Sequence, residues 1–471
     1  MTAFPQKLIP SPPRLMRAGV LLIGLVLAGC GAAERPQSAP LPSRSAVKLP
    51  PVKHFSATRA VLPLRSNRDI ARDFLDLSFA MESGAQLAMM TRFEGPISLR
   101  VIGQAPASLF TDLTQLLKRL KTEAGIGITR RRPSQPANIT IEVVSKAQLR
   151  QAVPNAACFV VPNVSSWAEF RRKRHKELTS WRALKSRQNV TIFLPGDVSP
   201  QEIRDCLHEE LAQALGPLND LYRLPDSVFN DDNFHTVLTG FDMLVLRAYY
   251  SPRLHNGMRR GQVAAVLPQI LARLNPGGQN LPSRPAGLPT PRSWIKAIET
   301  ALGAKSSLSA RRAAAKRAVA IANALGWNGP RLGFSYYVLG RVALSSKTDI
   351  ALAAFLKAGM LYRSSPSTRI QAAHVALQLA VFALVAGDDE AVLKLADAHL
   401  PTIYQAQNAS LLATFLMVKS QALELTGRAS EARAVQQESL GWARYGLGSD
   451  REVRERLNEI RALTPPRRPQ A

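Results

Sequence analysis

Cysteine, aromatic residues and acidic side chains are all scarce in this chain. Three cysteines in 471 residues exclude a disulfide-stapled scaffold and are too few for a cysteine-based structural zinc site. Aromatics make up 6% of the sequence, and no aromatic platform or recognised DNA-binding motif accompanies the basic runs, which argues against a nucleic-acid partner. Only 34 Asp and Glu face 61 Lys and Arg, leaving a net charge of +27. After residue 30 the sequence suggests no apolar run long enough to cross a bilayer.

The one strongly apolar run lies at the start. Lys7, Arg14 and Arg17 precede the uncharged stretch Ala18 to Ala28, and Leu27-Ala28-Gly29-Cys30 closes it. This pattern resembles a bacterial lipoprotein signal (residues 1–29), which implies that Cys30 becomes the lipidated N-terminus and a membrane anchor. The chain is then expected in the cell envelope, facing the periplasm. Gly31, where some inner-membrane lipoproteins carry Asp, slightly favours the outer membrane. Residues 31–65, rich in Pro, Ser and Ala, read as a flexible tether.

Export changes the reading of Cys158 and Cys206. An oxidising compartment favours a bridge between them, tying a buried strand to the first turn of a helix; two buried free thiols are the alternative. Export also redirects the basic charge. Arg130-Arg131-Arg132, Arg171 to Lys176, Arg259-Arg260 and Arg311-Arg312 would then meet anionic lipids or wall polymers, not nucleic acid. A plain coding bias towards Arg on solvated faces explains the same runs.

A second breaker-rich stretch, residues 274–293, separates two units. The first, residues 66–273, alternates elements: a strand from Ile97, an amphipathic helix over 108–124, strands from Ile139 and around Cys158, a basic helical insert over 166–185, and a strand from Val190. The second, residues 294–463, is helical. Small residues recur at Ala351, Phe355, Ala358, at Ala391, Leu395, Ala398 and at Ala432, Gln436, Ser439, repeating at 40 and 41 residues. Such spacing resembles tetratricopeptide-like, solenoid-type helical repeats. Residues 464–471 read as a disordered tail.

The candidate site is the helical run Cys206 to Gly216. Its words E-E-L-A-Q-A-L-G, then N-D, D-S-V-F-N-D and F-D-x5-A-Y-Y-S-P-R-L-x-x-G-M, resemble the bacterial exported family called domain of unknown function 2927, over about residues 68–270. The resemblance names a relative and no reaction. The same words distantly resemble zincins of the metzincin type, whose active-site helix reads H-E-x-x-H-x-x-G-x-x-H. On that resemblance the fold is an α+β zincin-like domain with a mixed sheet. Glu209 and Gln213 stand at the His positions, Glu210 at the general base, Gly216 at the turn, and Asn219 with Asp220 at the third ligand. Ser227 and Phe229 match a turn that carries Met in those enzymes, and Asp242 and Tyr249 match the helix that follows.

An oxygen-only set of Glu209, Gln213 and Asn219 is poor for zinc. It suits Ca2+ or Mg2+ better, but helix side chains alone seldom surround those ions, so no cofactor is expected. A trio of His208, His235 and His255 has no known ligand spacing. The expected function is therefore a non-catalytic binding or assembly factor for an unknown protein or cell-wall partner. Two alternatives remain: a hydrolase of peptides or peptidoglycan using Glu210 as base, and a basic attachment module centred on Arg171 to Lys176. If Glu209 and Glu210 are only structural, Glu210 is expected to be half-buried and paired with an arginine.

Overall fold

A computed structural model describes residues 49–56, 61–154, 156–284, 289–303 and 305–465. The signal, Cys30 and the tail after Pro465 lie outside the described residues. The first unit comprises α1 (Asn67–Ser78), β1 (Ile97–Gly103), α2 (Ala107–Glu123), β2 (Ile128–Arg130), β3 (Ile139–Val144), α3 (Lys146–Ala152), β4 (Phe159–Pro162), α4 (Trp167–Lys173), β5 (Val190–Pro195), α5 (Pro200–Leu215), α6 (Gly240–Tyr249) and α7 (Arg260–Leu274).

The five strands form one mixed sheet in the order β2-β1-β3-β5-β4. β1, β2, β3 and β5 run parallel, and β4 pairs antiparallel with β5 in the register Phe159 to Phe193. β5 is buried at all six positions, as a near-continuous apolar strand covered on both faces should be. β2 has three residues, two of them exposed, so it carries no apolar signature. The basic insert is mostly irregular: α4 is one short helix, followed by two 3-10 turns at Glu177–Thr179 and Trp181–Ala183.

The second unit is all helical: α8 (Arg292–Leu302), α9 (Leu308–Ala324), α10 (Pro330–Ala343), α11 (Thr348–Arg363), α12 (Arg369–Ala386), α13 (Asp389–Gln405), α14 (Ala409–Leu425), α15 (Ala429–Gly446) and α16 (Asp450–Ala462). Successive helices pack as hairpins. The recurring small-residue pattern falls on α11, α13 and α15, the second helix of three consecutive hairpins. Gly387 and Gly427, in the turns entering α13 and α15, take left-handed φ of 72° and 77°, which glycine adopts without a Cβ penalty. The middle copy is out of register by about one residue: Val392 and Ala396 are buried there, while Ala398 is exposed.

Pro366–Ala386 is 21 residues long with a mean hydropathy of 1.5, so one later segment does reach the length and apolarity of a membrane span. Half of that stretch is buried inside the array, as expected of a core helix. Residues 49–56, assigned by composition to the tether, lie across α15. Phe55 stacks on Trp442 at 4.3 Å, Lys53 N–H donates to Gly441 C=O, and Arg444 donates to Pro50 C=O. Apolar Leu49, Val52 and Phe55 give this segment its own reason to pack.

Candidate functional site

α5 begins at Ser199, whose hydroxyl accepts from the Glu202 amide at 3.2 Å, with Pro200 at the first helical position. It lies on β4 and β5, with α2 beside it and α15 against it. Every residue from Gln201 to Leu215 except Glu202 is buried, including Arg204, Asp205, His208, Glu209, Glu210 and Gln213. A helix buried all round is normally apolar, so this concentration of polar groups requires internal partners. The Cys158–Cys206 disulfide joins the second turn of α5, not its first, to the residue before β4.

The C-terminus of α5 is sealed by residues from elsewhere. Arg187 donates to the carbonyls of Gln213, Ala214 and Gly216, and the Tyr250 hydroxyl donates to Leu215 C=O at 2.9 Å. These carbonyls have no partner within the helix, and the helix dipole places negative partial charge there. The Arg187 guanidinium also lies 4.9 Å from the Trp181 ring centroid, and its burial depresses its pKa. Gly216 packs on the Tyr249 ring, where an added Cβ would sit 3.2 Å from the ring carbons. Two positions singled out in the sequence, Gly216 and Tyr249, thus touch.

The residues at the metal positions are held by separate partners. Glu210 is 0% exposed and Glu209 1%, so the expected half-buried Glu210 is in fact completely enclosed, within a helix packed on β4, β5, α2 and α15. Gln213 donates through Nε2 to Glu82 Oε1 at 3.1 Å. Asn219 donates to Asp76 C=O at 2.9 Å, holding the chain after α5 to the end of α1. Asp220 is half-buried, and its charge, after burial and the charges of Asp231 and Glu299, raises the pKa of Tyr222. His208 Nδ1 accepts from the Leu238 amide at 3.1 Å, which fixes the other nitrogen as the protonated one in the neutral ring. His235 Nε2 bonds Pro225 C=O at 2.9 Å, and His255 is exposed. Among the described residues no group of three or more His, Cys, Asp or Glu side chains is placed to hold a metal ion.

The downstream words do assemble. Asp242 is fully buried and accepts from the Ser227 hydroxyl, from Val228 N–H at 3.1 Å and from Thr239 N–H at 2.7 Å. Ser227 Oγ in turn accepts from the Phe229 amide at 3.0 Å, and Phe229 is buried in the core. Asp242 therefore ties the Ser227–Phe229 turn to the start of α6. Asp242→Asn replaces an acceptor oxygen by a donor facing these N–H and O–H groups. It is expected to cost about 2 kcal/mol in urea unfolding, with a far-UV spectrum like the wild type.

The loop that follows plugs into the helical array. Phe234 meets Phe334, Tyr337, Tyr362 and His374 with ring centroids 4.8 to 6.1 Å away. Next to it, burial pushes the Asp232 carboxyl up to about 8, although the Phe234 amide and Asn230 side chain donate to it and pull the other way. An acid with a raised folded pKa keeps its proton where the unfolded chain has lost it. Its contribution to stability is full below the ordinary value of 3.8 and is lost as pH rises through about 8. Burial shifts Asp73, Asp112 and Asp242 in the same direction. Asp232→Asn should therefore flatten the fall in unfolding free energy between pH 5 and pH 9, measured by urea titration at each pH.

Polar contacts continue from α5 into the array. Gln201 bonds Asn408 at 3.2 Å and Ser410 N–H at 2.9 Å, Arg204 donates to Gln407 C=O, and Tyr445 donates to Asp112 at 2.7 Å. Arg204 also lies between the rings of Phe55 and Tyr445. Sequence reasoning missed Arg187 and Glu82, which sit in polar loops without periodicity; nothing local marks them. By contrast, Arg171, Arg172, His175 and Lys176 are solvent-exposed, away from these buried contacts.

The fold and site together define a mixed-sheet α+β unit with a buried, polar central helix, followed by an all-helical unit that touches the start of that helix. Residues 67–269, most of the first unit, match the family described as protein of unknown function (DUF2927). No curated protein and no solved structure matches the chain.

Proposed function

We propose that this chain is a lipid-anchored envelope protein whose first unit is a degenerate zincin-like domain and which works as a non-catalytic binding or assembly factor. The observation that carries this reading is the closure of α5 around Glu210, which has no exposed surface. A zinc hydrolase needs ligands that hold the ion and an open position for water, whose pKa the metal lowers to about 7. The residues present do not fit that group. Gln213 is engaged by Glu82, Asn219 by the α1 backbone, and the His208 Nδ1 by the Leu238 amide. What supports the zincin-like ancestry is the mixed sheet leading into α5, and the buried union of Ser227, Phe229 and Asp242. The Leu27 to Cys30 motif supports the anchor, and the hairpin array supports partner binding, since stacked helical repeats present extended surfaces.

The test is metal content and hydrolysis on protein purified from its own envelope. The expected result is no stoichiometric zinc, calcium or magnesium, and peptide and peptidoglycan cleavage at background for both wild type and Glu210→Gln. One ion per chain that is lost in Glu209→Ala, with cleavage lost in Glu210→Gln, would overturn the reading.

A further inference from the structure

Residues 292–347, which build α8, α9 and α10, carry ten Lys and Arg and a single carboxylate, Glu299. The whole chain has 61 basic to 34 acidic residues, so a general preference for Arg does not account for a ten-to-one stretch. Lys296, Lys305, Lys316 and Arg317 are exposed. Arg311 and Arg341 are half-buried and make hydrogen bonds to Ala301 C=O at 2.9 Å and the Tyr337 hydroxyl at 3.1 Å. Among the described residues, none of these six lies within ion-pair distance of a carboxylate. Burial lowers the Arg311 pKa, and the charge of Arg341 lowers it further. Glu299 interacts with Arg292 and Lys296, but one carboxylate against ten cations leaves a large excess of positive charge, which an external anion relieves.

The surface between the cations narrows the partner. The exposed positions of α9 are otherwise Ser309, Ala310, Ala313, Ala320, Asn323 and Ala324. These small side chains offer no ring for stacking bases and no bulky apolar group for insertion into acyl chains. What α8 and α9 offer to solvent is mainly positive charge on long side chains set among small ones, with Leu325 the exposed apolar residue at the end of α9, a chemistry that suits phosphates.

We propose that α8–α10 form an electrostatic docking surface for the phosphate headgroups of an anionic membrane. The choice of a membrane rests on the lipid-anchored reading above. The 18 residues between Cys30 and Leu49 can span at most about 60 Å, so an anchored molecule stays close to headgroups. Each surface cation then adds to the attraction, and tethering raises the effective concentration.

The experiment uses the full mature chain with Cys30→Ser, so that its outcome does not depend on acylation; the mass of the native N-terminal peptide tests the anchor separately. Vesicles of phosphatidylcholine with about one third phosphatidylglycerol should bind the protein at least about tenfold more tightly than phosphatidylcholine alone, and high salt should abolish the difference. Lys296→Glu, Lys305→Glu, Lys316→Glu and Arg317→Glu combined should lose that binding with an unchanged melting curve. Equal binding by the charge-reversed protein, or equal binding to neutral vesicles, would overturn the proposal. Saturable uptake of inorganic phosphate that the four changes abolish would overturn it too, by showing a discrete phosphate site in place of a docking surface.

Discussion

Arg187→Ala should lower the unfolding free energy by about 3–5 kcal/mol, the largest loss expected from any single substitution in the first unit. The guanidinium is buried and donates to Gln213, Ala214 and Gly216 carbonyls and to Thr91 Oγ1. Removing it leaves three backbone acceptors enclosed without donors, each costing about 1–3 kcal/mol. A helix C-terminus also prefers a cation, so the charge itself contributes. Arg187→Lys keeps the charge but not the planar fork that spans three carbonyls, and should recover less than half of the loss. Urea unfolding followed by far-UV dichroism measures this. The Trp181 ring beneath the guanidinium gives an independent fluorescence signal. A loss under about 1 kcal/mol would mean that other donors reach these carbonyls.

Removal of the disulfide ranks beside it. Cys158 and Cys206 are 48 residues apart in sequence, and closing a loop of that length removes unfolded-state entropy worth about 4 kcal/mol in the chain-entropy model. Both sulfurs are buried, so the bridge also holds the edge strand β4 against α5. Cys158→Ala with Cys206→Ala should destabilise by about that amount, and a reductant should do the same to the wild type but nothing to the double variant. Equal stability of the oxidised and double-variant proteins would show that the bridge constrains nothing the fold does not already fix.

Much of the first unit was legible because its elements carry their own periodicity. The apolar stripe Leu109, Leu113, Leu116, Leu120 placed α2 to within a residue, and the β-branched runs from Ile139 and Val190 placed β3 and β5. Gly216 marked the end of α5, but its start at Ser199-Pro200 was missed, which put Cys206 one turn too early. β2 escaped because Ile128–Arg130 is short and largely exposed, and α1 because it adjoins a Pro-rich stretch. The hairpin array was recognisable from its spacing, but the register of its middle copy depended on which face packed inward.

The site was only half legible. Ser227, Phe229 and Asp242 are linked in space in the order that the sequence words suggested. The state of Glu209 and Glu210 was not readable, because their burial depends on tertiary packing that the residues of the helix do not encode. An acidic, Ala-rich helix looks the same in sequence whether it lines a cleft or is enclosed. Arg187, Glu82 and the strap at Phe55 act at long range and leave no spacing to find.

The closure of α5 can be tested by carbodiimide labelling of carboxylates in the native protein, read by peptide mass spectrometry. An enclosed helix predicts that exposed Glu177 is modified rapidly while Glu209 and Glu210 react only after unfolding. Labelling of Glu209 or Glu210 in the folded protein at the rate of Glu177 would contradict the account and reopen α5 as a solvent-filled cleft.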